Sequence, residues 1–226
     1  MKGPKNGKIK IKSKYNKSFT RKEKQGIYLV SVGKKYHEGE FLLAALEFMG
    51  EHFELYTIVV ADTLQRHNYD NVNTKEINYQ LAYNEGTLWL ERNKKAISSF
   101  NNILVSRWDV WLEHKMYPET RAKIDTLYND SEEFRKTFRD TAISFLRKKK
   151  RIITNEDIEH SIEYLKEECS IIIPIWSAEK INKIVYPGEL TQALKAVYEE
   201  YEQTTYSNYA EWFPISFKRY STVECL

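Results

Sequence analysis

A serine, a tyrosine–glutamate pair and a late tyrosine are the residues of this chain whose types and spacing suit covalent chemistry. Ser31 sits near the end of the apolar run Ile27-Tyr28-Leu29-Val30-Ser31-Val32, with Gly33 next. The run is of buried-strand type, and open parallel sheets bind ligands outside the carboxyl ends of their strands. A serine there turns its hydroxyl toward a substrate. Tyr164 and Glu168 stand four apart, which puts them on one helix face a turn from each other. A carboxylate beside a phenol holds an ammonium group, the acid giving charge and the hydroxyl giving geometry. Tyr186-Pro187-Gly188 ends a second apolar run. Each pattern is common when taken singly: serines at strand ends often form turns, Tyr/Glu pairs dot surface helices, and proline often starts a helix. Their order and context join them.

Several chemistries lack their signatures. The string Leu29-Val30-Ser31-Val32-Gly33 is no G-x-S-x-G elbow, which disfavours an α/β-hydrolase. His37, His52, His67, His114 and His160 show no spacing that marks a triad. There is no phosphate-cradling G-x-x-x-x-G-K-[ST] and no clustered metal-ligand motif, so neither a cofactor nor a metal is expected.

The elements that must position these residues follow from periodicity. Strand Ile27–Val32, a helix from about His37 to Met49 and strand Glu54–Ala61 make a βαβ unit, which requires a parallel sheet. A long helix starts near Thr74, a candidate cap, and runs to about Phe100. Further helices are expected over Asn102–His114, Pro118–Tyr128, Ser131–Lys148 and Asn155–Cys169. Ile181–Tyr186 reads as a short strand, Glu189–Tyr201 as a closing helix, and Ser207 to Leu226 as aromatic and irregular. The fold class is α/β, a parallel sheet with a large helical portion in a single domain over 25–226.

Composition narrows the setting. An aromatic content of 14%, with 16 Tyr and 5 Trp, is too high for a disordered chain. No apolar run approaches the roughly 20 residues that span a bilayer, and no signal-peptide core follows the basic start. Cys169 and Cys225 have no metal spacing and suggest a reducing compartment, so a cytoplasmic protein without membrane contact is expected. Residues 1–24 hold ten Lys/Arg against Glu23 alone, a charge of +9. The remaining 202 hold 25 basic and 31 acidic residues, a charge of −6. A basic flexible tail ahead of an acidic body suits either solubility or nucleic-acid contact.

The string Ser31-Val32-Gly33-Lys34-Lys35-Tyr36-His37-Glu38-Gly39 resembles the N-terminal signature of tRNA-dependent cyclodipeptide synthases. In that family a nucleophilic serine follows the first core strand. Tyr164 with Glu168 is similar to its second signature, and Tyr186 to its late catalytic tyrosine. Pro187 directly after that tyrosine looks like the branch called XYP. Lys34 stands where the other branch has asparagine, in keeping with that assignment. Leu29 stands where the other branch commonly has glycine, which makes Leu29, Gly33 and Lys34 candidates for the substrate pocket.

The resemblance implies a Rossmann-like fold akin to class I tyrosyl- and tryptophanyl-tRNA synthetase catalytic domains. It implies two aminoacyl-tRNAs as substrates, no ATP, and ping-pong transfer through an aminoacyl-Ser31 ester and a dipeptidyl-enzyme. Glu168 then holds the α-amino group, Tyr164 and Tyr186 position it or relay protons, and Tyr186 serves the later steps above all. Arg92, Lys94 and Lys95, late in the long helix, fall where the family places tRNA-contacting cations. Lys148-Lys149-Lys150-Arg151 and the N-terminal tail are further basic clusters. A non-catalytic Rossmann-type RNA-binding module is the alternative that the tail and the aromatic excess allow.

Overall fold

A computed structural model of the chain describes residues 9–12, 22–69, 73–149, 152–202 and 210–219. The apolar run before Ser31 becomes β2 (Glu23–Val30), buried along its second half, and it is the middle strand of a five-stranded sheet. β3 (Phe53–Val60) and β4 (Ile103–Arg107) lie on one side of it, and β5 (Lys183–Tyr186) and β6 (Glu211–Pro214) on the other. Every pairing in this sheet is parallel. The chain steps outward from β2 to β3 and β4, then returns to the opposite flank of β2. The reversal makes the gap between the carboxyl ends of β2 and β5 a topological switch point, the place where open α/β sheets bind ligands.

The pleat of β2 sends alternate side chains into two cores. Ile27 and Leu29 face the helical side, where α4 (Tyr117–Asp130), α5 (Glu132–Lys148), α6 (Asn155–Ile172) and α8 (Gln192–Glu202) pack. Tyr28 and Val30 face α1 (Gly39–His52) and Trp89 of α2 (Lys75–Ile97). Ser31 continues the Leu29 face and therefore looks toward α6. Starts of the long helices are fixed by side-chain caps. Thr74 accepts from Ile77 N, and Thr154 with Asp157 forms a full capping box on α6.

Four readings of the sequence are corrected. The helix foreseen over Asn102–His114 is the edge strand β4 followed by the short α3 (Trp108–Leu112). The stretch after Ser207 contains β6 and β7 (Ser216–Arg219). β7 pairs antiparallel with β1 (Ile9–Lys12), and β2 begins at Glu23, so six residues of the expected tail lie in strands; most of the rest of that segment lies outside the described residues. Pro187 does not open a helix: Gly188 N donates to the Tyr186 carbonyl at 2.9 Å in a tight turn, and α8 starts later, with Thr191 Oγ1 accepting from Leu194 N. α7 (Pro174–Ala178) completes the elements. Among the described residues no helix is long and apolar enough to cross a membrane.

Candidate active site

The switch point brings Ser31 and Tyr186 together across 155 positions of sequence. Tyr28 pairs with Val185, so the ends of β2 and β5 are level. Ser31 Oγ and the Tyr186 hydroxyl are 3.1 Å apart, within hydrogen-bond reach. The chain turns sharply after the serine: Lys34 N donates to the Ser31 carbonyl at 3.4 Å, and Gly33 has a φ of 82°. That left-handed conformation favours glycine, since a Cβ there strains against the backbone. A short 3-10 turn, Lys35–His37, follows before α1 begins at Gly39. No helix N-terminus therefore stands directly behind the serine.

α6 delivers the second pair. Glu168 is buried on α6, one turn beyond Tyr164. Burial pushes it up to about 7, only partly countered by the neighbouring Tyr164 hydroxyl. Burial, with the Glu168 charge beside it, also holds the Tyr164 phenol far above its usual range. Tyr186 is raised as well, by burial first and then by Tyr36, and Glu168 adds to it. The centre thus has two neutral phenols and one carboxyl that titrates near neutrality, where a general acid–base group works best.

Three further residues belong here to which the sequence reading assigns no role, although Tyr36 and His37 stand in the string after Ser31. The Tyr36 hydroxyl meets the Tyr186 hydroxyl at 3.2 Å, forming a chain of three hydroxyls with Ser31. The Gln65 amide lies near the Tyr164 hydroxyl and acts to lower that phenol's pKa, against the effect of burial. His37 is wholly buried against Tyr36 and Tyr186, with ring centroids 4.7 and 5.6 Å away. Its Nδ1 pairs with the Tyr28 hydroxyl at 3.0 Å, and its Nε2 has no partner among the described residues. Burial, with the Lys34 charge adding to it, drops His37 to about 3, so it stays neutral. No local pattern marks these residues, because Tyr36 and Gln65 acquire their partners only through long-range packing.

The remaining candidates separate. Leu29 lies in the core one pleat below Ser31, at 2% exposure. Lys34 is exposed. Val32 and Gly33 line a cleft of about 230 Å³ with Asp62, Gln65, Tyr69 and Glu85. A larger cavity of about 640 Å³ lies around Arg66, His67, Tyr79, Tyr117 and Arg121 and contains none of the four candidate catalytic side chains. Arg92, Lys94 and Lys95 are exposed, and Arg92 pairs with Glu38 at 3.0 Å, just past the serine turn. Of the second basic cluster, Lys149 donates to Asn68 Oδ1 at 3.4 Å, while Lys150 and Arg151 lie outside the described residues.

Glu167 shows how differently an adjacent carboxylate is used. It accepts from Arg66 Nη1 at 2.9 Å and Trp108 Nε1 at 2.8 Å, and meets His67 at 3.1 Å. Burial works to raise it, but His67 and Arg66 outweigh that and hold it below its ordinary value. It is a structural anchor between α6 and the 3-10 helix Thr63–Asn68.

No protein-family model matches the chain, and no curated protein matches it in sequence. Solved structures do. A cyclodipeptide synthase of Fluoribacter dumoffii superposes with a TM-score of 0.86 at 28% identity, covering 95% of this chain and all of that one. One from Candidatus Glomeribacter gigasporarum, solved bound to Phe-tRNAPhe, gives 0.65 at 18% identity over 89% and 91%. A tyrosyl-tRNA synthetase of Archaeoglobus fulgidus gives 0.51 at 10% identity, over 85% of this chain and 56% of that one, which extends the Rossmann-like fold to class I synthetases. These matches cover nearly all of this chain and of theirs, so over almost its whole length the chain is similar to the cyclodipeptide synthases.

Proposed function

We propose that the chain condenses the aminoacyl groups of two aminoacyl-tRNAs into a cyclic dipeptide, a 2,5-diketopiperazine. The observation that carries this reading is the Ser31–Tyr186 contact of 3.1 Å at the switch point, with Glu168 and Tyr164 of α6 completing the centre. Ser31 Oγ attacks the ester carbonyl of the first aminoacyl-tRNA. The bond to the ribose oxygen breaks, and the serine proton leaves through the neighbouring hydroxyls to protonate the released tRNA. One ester replaces another, so no nucleotide hydrolysis is needed. The α-amine on the enzyme then attacks the second aminoacyl ester, whose bond to the ribose oxygen breaks and releases the second tRNA, protonated by the hydrogen the amine loses. The resulting dipeptidyl-Ser31 closes when its free amine attacks the serine ester and releases the product.

An amine attacks only when neutral. Glu168 is placed to hold the arriving ammonium and then to accept its proton, with Tyr164 fixing the carboxyl. Tyr186 touches the nucleophile itself, so its role extends from the later steps to the first transfer. Backbone N–H groups of the turn after Ser31 are the candidate donors to the tetrahedral oxyanion. Pro187 after Tyr186, together with Lys34, supports placement in the XYP branch. A cytoplasmic site of action fits this substrate. The relative from Candidatus Glomeribacter gigasporarum was solved with a charged tRNA, which supports the same substrate class here. The test is to incubate the purified protein with two charged tRNAs, without nucleotide and with a chelator present. Diketopiperazine detected by mass spectrometry supports the reading; a strict ATP requirement, or free amino acids as the only product, overturns it.

A further inference from the structure

The hydroxyl chain at the switch point has one member too many for a serine–tyrosine pair. Tyr36 reaches the Tyr186 hydroxyl at 3.2 Å, while Tyr186 reaches Ser31 at 3.1 Å. Tyr36 is half-buried, and its ring is held edge-on against His37 at 4.7 Å and against Tyr186 at 6.3 Å. Its hydroxyl is thus aimed by packing. Each of the three groups has a single hydrogen to donate. Tyr186 therefore points its hydrogen either at Tyr36 or at Ser31 Oγ. In the second case that hydrogen occupies a lone pair with which the serine must attack. In the first, Ser31 donates to Tyr186, and its own lone pairs stay open to the incoming carbonyl.

The geometry points to Tyr36 as a positioning residue: it accepts the Tyr186 hydrogen, and so sets the direction of the hydroxyl chain that leaves Ser31 competent as a nucleophile. The inference rests on the reading of Ser31 as the nucleophile and acts wholly through Tyr186. It also accounts for the extra loop aromatic, since β2 and β5 alone bring the serine and Tyr186 together and leave the phenol's hydrogen free to turn.

A double-mutant cycle tests it. The rate of acylation of Ser31 is followed by intact-protein mass spectrometry in the unaltered protein, Tyr36→Phe, Tyr186→Phe and the double variant. Two acyl donors are used, p-nitrophenyl acetate and a charged tRNA. Phenylalanine keeps the ring packing, so Tyr36→Phe should unfold near the parent's midpoint. It should slow acylation by about tenfold, the size of one hydrogen bond, with an unchanged KM for charged tRNA. In the Tyr186→Phe background the same change should have no further effect, because the group it acts through is gone. An equal loss in both backgrounds, or no loss in either, overturns the inference. Should Tyr36→Phe fail to fold, 4-fluorophenylalanine at position 36 replaces it; its fluorine fills the hydroxyl's place but barely accepts a hydrogen bond, so it should slow acylation only where Tyr186 is present, and a loss in both backgrounds or in neither overturns the inference. An intact cycle with p-nitrophenyl acetate but no diketopiperazine from charged tRNA removes the proposed function and leaves Tyr36 in place. Product formation with an additive cycle does the reverse. A Ser31 that neither donor acylates overturns both.

Discussion

At the scale of single residues, the centre is defined by what burial does to each group. Ser31→Ala should abolish the aminoacyl adduct and the product while costing about 1 kcal/mol or less of stability, since it removes one hydroxyl and one hydrogen bond. Adduct mass spectrometry beside a urea unfolding curve checks both, and full activity in the variant would overturn the mechanism. Glu168 supplies a pH signature. Its proposed work needs the carboxylate, so kcat should rise with pH through about 7, where the folded protein holds this group. Glu168→Gln should cut turnover strongly and remove that limb. Stability runs the other way. The folded carboxyl binds its proton more tightly than the unfolded one, whose ordinary value is 4.5, so its contribution is complete below about pH 4.5 and is lost as pH rises to about 7. The loss amounts to about 3 kcal/mol. Glu168→Gln should flatten this part of the stability–pH curve, and a curve of unchanged slope would refute the assignment.

At the scale of elements, the site depends on how closely α2 and α6 approach the strand ends. Gly86 of α2 lies against the Asp62 side chain, and a Cβ added at Gly86 meets that carboxyl directly. Asp62 cannot give way easily, because it accepts from Thr63 N at 2.8 Å and from Arg107 Nε at 2.6 Å and is fully buried. Helix propensity alone favours alanine over glycine by about 1 kcal/mol. The collision should win: Gly86→Ala should destabilise by about 1–3 kcal/mol through overpacking, read from denaturant midpoints, and a stabilised variant would contradict this packing. The elements also show where sequence reasoning runs out. The caps Thr74 and Thr154 are local, and the long helices they start are legible. β4 is not, because its five residues run without a turn signal into the helical Trp108–Leu112, and its ladder partners lie in Tyr56–Val60.

At the scale of the whole molecule, charge should govern tRNA use. Reversing Arg92, Lys94 and Lys95 together should weaken charged-tRNA use and lower its salt dependence, by about 0.7–0.9 in logarithmic slope for each phosphate left without its cation. Activity measured from low to moderate salt checks this; a fall in activity with an unchanged slope would make these residues structural. The exposed pair between Arg92 and Glu38 contributes little to stability by itself, but acids in place of Lys94 and Lys95 oppose the negative end of α2, so the triple variant should lose about 1–2 kcal/mol of stability while remaining folded.

Local patterning of the chain specifies the parallel α/β plan, the strand that ends at Ser31, the helix that sets Tyr164 and Glu168 on one face, and the late strand ending at Tyr186. All of these are periodicities of two or 3.6 residues and depend only on neighbours along the chain. Long-range packing is what sets the ends of β2 and β5 side by side, so that residues 31 and 186 meet. It alone brought in Tyr36, His37 and Gln65, and it alone made Glu167 an anchor and Glu168 a titrating group. Spacing singles out Glu168 beside Tyr164, but it does not reveal the different surroundings that two consecutive glutamates meet. One helix turns them about 100° apart, one toward Arg66 and Trp108 and the other into a buried site beside Tyr164, and desolvation and neighbouring charge do the rest.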